Sequence, residues 1–450
     1  MKNSTQGRRE AEQQKFSIFY EPLQLCLSAE NLFRLKLTQS RLSRNTFALL
    51  VGNVGGTALA FALSVLIGRV LGQTDLGVYT TVLAWIFPLT LIVDFGLGSL
   101  ITRDVAQDEA LGSPYLHTST IARLTIGGAL TVALLIGAPF LSDNPAIITG
   151  LQVSAPLLLI EPFFGAFTAV FRARQIMWPI AWLNIGMLVP QVVLTIAAFA
   201  VGMDIQAALV INVITSAARL VAAWVIYRRN FVSWATYASP LQLVPLLRKA
   251  WPFALAAILA ALQARVGILL LERLATTADV GYFAAASRFV EAGRMIPNAF
   301  FGALFPTLAA LAALPEDFHA TFMRAMRGLL VFGLAMGVGV YLLAAPVMNL
   351  TYGSEFAPAI PALQVAMWSL LPSLLRGARS LYWYAKGEEG RVNAVTALAL
   401  VAQIALGLWL IPLYGALGLA LTMLVSEAVA LALLWPETRP RYTPQTVHET

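Results

Sequence analysis

The sequence predicts an all-α membrane protein of about twelve transmembrane helices, arranged as two pseudo-symmetric six-helix lobes around a central cavity. Three observations predict it: long uncharged apolar blocks, a Lys/Arg distribution that alternates from loop to loop, and a gapless internal repeat. Hydrophobic residues make up 58% of the 450 and charged residues only 12%, about half the ~25% of an ordinary soluble domain. Residues 46–67 and 125–141 carry no charge, and no charge separates Arg391 from Glu427. A helix needs about 20 apolar residues to cross the hydrocarbon core. Only helices or closed barrels satisfy their backbone there. Barrel strands alternate with period two, and residues 192–200 (VVLTIAAFA) and 406–411 (LGLWLI) do not.

The first 44 residues stand apart. They are polar and of mixed charge up to Lys15, without the apolar core of a signal peptide. Residues 16–37 then mix apolar side chains with Glu21, Glu30, Arg34 and Lys36, interrupted by Pro22. Both a surface-lying amphipathic segment and a disordered tail fit that pattern. The spans follow at about 45–69, 78–102, 118–140, 146–171, 177–200, 205–227, 250–272, 280–312, 323–345, 357–385, 391–411 and 415–435.

Lys and Arg set the orientation, because cytoplasmic loops hold the excess. The even-numbered loops contain Arg103, then Arg172 and Arg174, then Arg228, Arg229, Arg248 and Lys249, then Arg324 and Arg327, then Lys386 and Arg391. The odd-numbered loops, 71–77, 142–145, 201–204, 274–279, 346–356 and 412–414, contain none. Both termini are therefore expected in the cytoplasm, and the net charge of +7 reflects topology, with no nucleic-acid partner. Residues 69–79 (RVLGQTDLGVY) and 273–283 (RLATTADVGYF) align without a gap, sharing Arg, Asp and Gly. Each joins the first span of a six-span set to the second, which is a parallel repeat with its pseudo-twofold along the membrane normal. The expected organisation is a tail over 1–44, a lobe over 45–228, a linker over 229–249, a second lobe over 250–436 and a tail over 437–450.

One cysteine, Cys26, excludes an internal disulfide and a Cys-rich metal site. There is no GxxxxGK[ST] pattern, no cofactor is expected, and short outward loops leave no room for a catalytic periplasmic domain. The chain does not read as an enzyme.

An ionisable side chain within a span is costly and usually faces a cavity or a partner. Arg69, Glu272 and Arg273 stand at outer span ends, and Arg123 and Arg379 near inner ends, where snorkelling accounts for them. Arg219 and Arg376 lie deeper, as ion-pair members or long snorkels. Arg265 lies about two-thirds of the way outward on span seven. Arg288, Glu291 and Arg294 follow at i, i+3 and i+6 on one broad face of span eight. Three cations and one anion leave positive charge at mid-membrane, and a guanidinium fork suits phosphate. In the alternative reading, Glu291 neutralises one arginine and the others pair elsewhere. Asp94 is the matching deep charge of span two, either partner to these arginines or carrier of a coupling proton. Glu161, beside Pro162 where a kink is expected, and Glu427 are secondary candidates, with Arg219 and Arg376.

Several segments carry a family resemblance: Asn53 with Gly55 and Gly56, residues 68–79 (GRVLGQTDLGVY), 94–98 (DFGLG), 278–283 (ADVGYF), 352–356 (YGSEF) and 411–418 (IPLYGALG). Over about 41–436 the chain resembles the polysaccharide flippases (the Wzx or RfbX-like branch) of the multidrug/oligosaccharidyl-lipid/polysaccharide exporter superfamily; residues 1–44 depart from that pattern. The resemblance implies a V-shaped, two-lobed fold whose cationic cavity is lined by spans one, two, seven and eight. It implies that an undecaprenyl-pyrophosphate-linked oligosaccharide is flipped from the cytoplasmic to the periplasmic leaflet of a bacterial inner membrane by alternating access. Arg265, Arg288 and Arg294 would hold the pyrophosphate, oriented by Glu291. The implied partners are the lipid-linked oligosaccharide, membrane lipids, a coupling proton or sodium ion, and polysaccharide-assembly proteins. A cation-coupled drug exporter of the same superfamily is the alternative, and it would favour net acid in the cavity.

Overall fold

The structure, a computed structural model, describes residues 51–230, 243–311 and 315–435. The expectations for residues 1–44 and 437–450, and for most of the linker, lie outside the described residues. The elements are α1 (Val51–Asp94), α2 (Leu97–Gln107), α3 (Gly112–Leu141), α4 (Pro145–Ser154), α5 (Leu157–Ala173), α6 (Trp178–Ala200), α7 (Ile205–Asn230), α8 (Leu243–Leu274), α9 (Thr277–Gly293), α10 (Met295–Leu311), α11 (Pro315–Thr351), α12 (Ala359–Ala385) and α13 (Glu389–Leu434).

Seven of these helices are long and apolar enough to cross a membrane alone. The number of crossings rises to about twelve because two of them turn back, two further spans are each made of two shorter helices, and α12, with 27 residues, supplies one more. With 44 residues, α1 would be about 66 Å long, twice what a ~30 Å core needs; it is interrupted at Gly72, whose φ is 86°. In α13 the chain reverses at Gly415 (φ 55°, ψ −126°). A Cβ on Gly415 would also lie 2.4 Å from Asp279 Oδ1. Asp279 closes a capping box with Thr276 at the start of α9, and it accepts a 3.3 Å hydrogen bond from the Ala416 amide. One carboxylate thus organises two span starts.

The fourth span is α4 plus α5, bent by 40°. The bend falls at Ala155–Pro156, where the Ala155 amide bonds back to Gln152, and not at Pro162, which α5 accommodates. The eighth span is α9 plus α10, interrupted at Arg294; Pro297 offers no N–H to the carbonyl of Gly293. The second span is likewise interrupted, at Phe95 and Gly96, both with positive φ (49° and 70°). Outward faces are apolar: Phe140 is 80% and Leu350 77% uncovered by protein, as suits lipid contact.

The repeat segments meet each other. A Cβ on Gly77 would fall 2.0 Å from the Thr277 carbonyl oxygen, and one on Gly281 would fall 1.9 Å from that of Gln73. In the gapless alignment Gly77 matches Gly281 and Gln73 matches Thr277, so each contact is the other rotated about the pseudo-twofold, as in an isologous interface. Around this seam Ser142 donates to Glu272 (2.6 Å), Asn144 donates to Thr277 (3.1 Å), and Arg273 pairs with Asp143 (2.8 Å). Arg69 donates to the carbonyls of Thr351 (2.5 Å) and Leu350. Arg69, Glu272 and Arg273 therefore tie the lobes together at the odd-loop end, in place of the snorkelling expected of them. At the even-loop end, spans two and seven touch. Gly96 packs on the backbone of Ala254, and Lys249 reaches Asp104 (2.9 Å). Arg379 also departs from expectation. It is 5% exposed, packed over the rings of Tyr382 and Trp383, and it donates to the last carbonyls of α13, Leu434 (3.2 Å) and Trp435 (2.6 Å).

Candidate functional site

Each lobe encloses a polar cavity. The C-terminal one, about 290 Å³, is walled by α8, α9, α12 and α13 and presents Arg265, Glu291, Arg294, Arg376 and Glu427 beside Gln263 and Gln403. The N-terminal one, about 500 Å³, presents Asp94, Glu161, Arg172 and Asn212 with the rings of Phe87 and Phe164. The two meet at span seven: Ala257 lines the N-terminal cavity, and Arg265 lines the C-terminal one. Across this boundary the Arg265 guanidinium lies 5.2 Å from the centroid of the Phe87 ring. The two cavities thus adjoin at the Arg265–Phe87 contact.

Their charges are arranged in mirrored pairs. In the N-terminal lobe Glu161 of span four pairs with Arg219 of span six, and Arg219 also stacks 4.3 Å over the Phe164 ring. In the C-terminal lobe the corresponding spans, ten and twelve, pair Arg376 with Glu427 through two hydrogen bonds (2.5 and 3.1 Å). The geometry is repeated with the polarity reversed.

The breaks in spans two and eight show the same reversal. Asp94 ends α1 at the span-two break. It accepts from Arg123 (2.6 Å) and from the Gly98 amide at the start of α2 (3.1 Å), so both its oxygens are used. Asp94 is therefore not a partner of the Arg265, Arg288 and Arg294 cluster, and Arg123 does not snorkel: its side chain is fully buried. At the span-eight break the charge is Arg294. Its Nη2 has only a long contact with Ser373 (3.4 Å), and its Nε is buried without a partner among the described residues.

Of the predicted cluster, Arg265, Glu291 and Arg294 share one cavity wall. Arg288 pairs with Glu291 (2.7 Å) and does not line the cavity. Arg265 has no carboxylate within salt-bridge distance among the described residues, and its Nε is buried and unsatisfied. A buried donor without an acceptor is costly, so Arg265 and Arg294 are the two guanidinium groups of this cavity left to meet an anion. Sequence reasoning missed Arg172, counted as a loop cation, and Asn212. The signal for Asn212 was available as an amide in the otherwise apolar run 208–214 (ALVINVI).

Paired helical lobes, a pseudo-twofold seam and polar cavities among apolar helices define a two-lobed, all-α membrane-protein architecture. The chain belongs to the polysaccharide biosynthesis protein family, whose model matches residues 42–312. A comparison with curated proteins finds no match. Among solved structures, the fold is similar to an inward-facing multidrug resistance MATE family transporter of the MOP superfamily, with TM-score 0.74 and 16% identity over 86% of this chain and 96% of that one. It is similar to the lipid II flippase MurJ in an inward closed conformation, with TM-score 0.71 and 15% identity over 87% of this chain and 86% of that one. With an outward-facing MATE family transporter the TM-score is 0.63, at 17% identity over 88% of this chain and 93% of that one.

Proposed function

We propose that this protein flips an undecaprenyl-pyrophosphate-linked oligosaccharide from the cytoplasmic to the periplasmic leaflet by alternating access. One lobe spans 45–228 and the other 250–436, and residues 229–249 link them on the cytoplasmic side. The observation that carries the reading is the pair of guanidinium groups, Arg265 and Arg294, that line the C-terminal cavity with no carboxylate within salt-bridge distance among the described residues. Fork-shaped donors held ready in a membrane suit a pyrophosphate. The family supports polysaccharide assembly as the setting, and the lobe-to-lobe seam supports a state closed at the odd-loop end, which the Lys/Arg distribution assigns to the periplasm. A drug exporter for organic cations fits less well, because this cavity carries Arg265, Arg294 and Arg376 against Glu291 and Glu427.

The test is reconstitution in vesicles, scoring a labelled lipid-linked oligosaccharide by its accessibility to a membrane-impermeant reagent. Arg265→Gln and Arg294→Gln should each slow transfer roughly ten- to hundred-fold, since a hydrogen bond to a charged group is worth about 1.5–3 kcal/mol. Both variants should still fold. Unchanged transfer in both would remove the anion site.

A further inference from the structure

We infer that the N-terminal cavity is a separate carbohydrate subsite, which takes the glycan while the C-terminal cavity takes the pyrophosphate. The inference rests on the flippase reading above. Three observations carry it.

The first is wall chemistry. The N-terminal cavity shows two carboxylates, Asp94 and Glu161, against one guanidinium, Arg172. Arg123 and Arg219 engage those carboxylates without being part of the cavity wall. With both carboxylates so engaged, Arg172 is the one cation of this wall, against Arg265, Arg294 and Arg376 in the C-terminal one. A sugar hydroxyl both donates and accepts, and it is served by such a wall: one Glu161 oxygen is left over from the Arg219 pair, Ser99 is exposed, and Asn212 offers an amide. Asn212 is half-buried and its side chain has no hydrogen-bond partner among the described residues. The ring of Phe87, 42% exposed, adds an apolar face for the C–H side of a pyranose.

The second is volume. Small-molecule pockets run from about 300 to 1,000 Å³. The N-terminal cavity, about 500 Å³, lies within that range, and the C-terminal one, about 290 Å³, stands at its lower edge and is the smaller of the two. The third is continuity. Arg265 belongs to the cationic wall and stacks on Phe87, a wall residue of the other chamber. A ligand whose phosphate sits on Arg265 has its first sugar at the entrance to the N-terminal cavity.

The experiment uses the full chain in nanodiscs and two probes, bare undecaprenyl pyrophosphate and undecaprenyl-pyrophosphate N-acetylglucosamine, with affinity read by microscale thermophoresis. The wild type should prefer the sugar-bearing probe by at least roughly tenfold. Asn212→Leu and Ser99→Val should erase that preference while leaving the affinity for the bare probe unchanged. A thermal melt of each variant separates loss of recognition from loss of fold. Arg294→Gln should weaken both probes equally. Equal affinity of the wild type for both probes would overturn the subsite, and so would a preference surviving in both Asn212→Leu and Ser99→Val. Arg294→Gln binding both probes normally would instead overturn the pyrophosphate reading, so the two failures are distinct.

Discussion

The two lobes repeat one framework and fill it with opposite charge. In the N-terminal lobe the deep acids each have an arginine: Asp94 with Arg123, and Glu161 with Arg219. In the C-terminal lobe the four-to-six pairing recurs inverted as Arg376 with Glu427. The position at the broken span is inverted too, but there Arg294 has no carboxylate within salt-bridge distance among the described residues. The difference separates two uses of a buried charge. A pair that satisfies itself holds helices in register; a charge left over is a cost the fold carries for a ligand.

The largest expected effect tests that separation. Arg123→Leu would strand Asp94 inside the N-terminal lobe, and breaking a buried pair from one side costs about 3–5 kcal/mol. Arg294→Leu removes a charge that has no partner to strand, so its cost should fall well below that. Unfolding of the two variants in the same detergent, followed by circular dichroism, measures both. Equal losses would mean that Arg294 is as structural as Arg123, and the comparison between lobes would collapse.

A smaller effect sharpens the inversion. The Glu161 side chain is 31% exposed and that of Arg219 18%, so Glu161→Gln should cost only about 1.5 kcal/mol, at the low end for a charged hydrogen bond. If polarity is interchangeable between lobes, Glu161→Arg combined with Arg219→Glu should regain most of what either single change loses. A double mutant no more stable than the worse single one would show that the N-terminal lobe requires its own polarity.

The framework was legible in the sequence because its causes are local. Apolar length gives the spans, loop arginines give their alternation, and residues 69–79 and 273–283 give the duplication. The charge pairing was not legible, because it joins positions 29, 58 and 51 residues apart and depends on which helix face turns inward. Arg123 illustrates the failure. By depth alone it is a snorkelling arginine; only the break at Phe95–Gly96, which turns Asp94 toward span three, gives it a buried partner. That break rests on a positive φ at Phe95, a non-glycine residue that no composition rule marks. Arg294 was recognised as deep and cationic, but its lack of a partner became visible only once Arg288 had taken Glu291.

The smallest change with a readable outcome lies at the seam, where the lobes are alike. Ala at Gly77 places a methyl 2.0 Å from the Thr277 carbonyl, and Ala at Gly281 places one 1.9 Å from that of Gln73. Real Cβ atoms do not approach an oxygen so closely, and backbone cannot rotate away as a side chain can. The lobes must therefore separate at the odd-loop end in either variant, with little lost inside either bundle. Because the pseudo-twofold exchanges the two contacts, Gly77→Ala and Gly281→Ala should lengthen a spin-label distance between the two odd-loop segments by the same amount. A lengthening in one variant only would break the symmetry on which the seam depends, and an unchanged distance in both would mean that the lobes do not close against each other there.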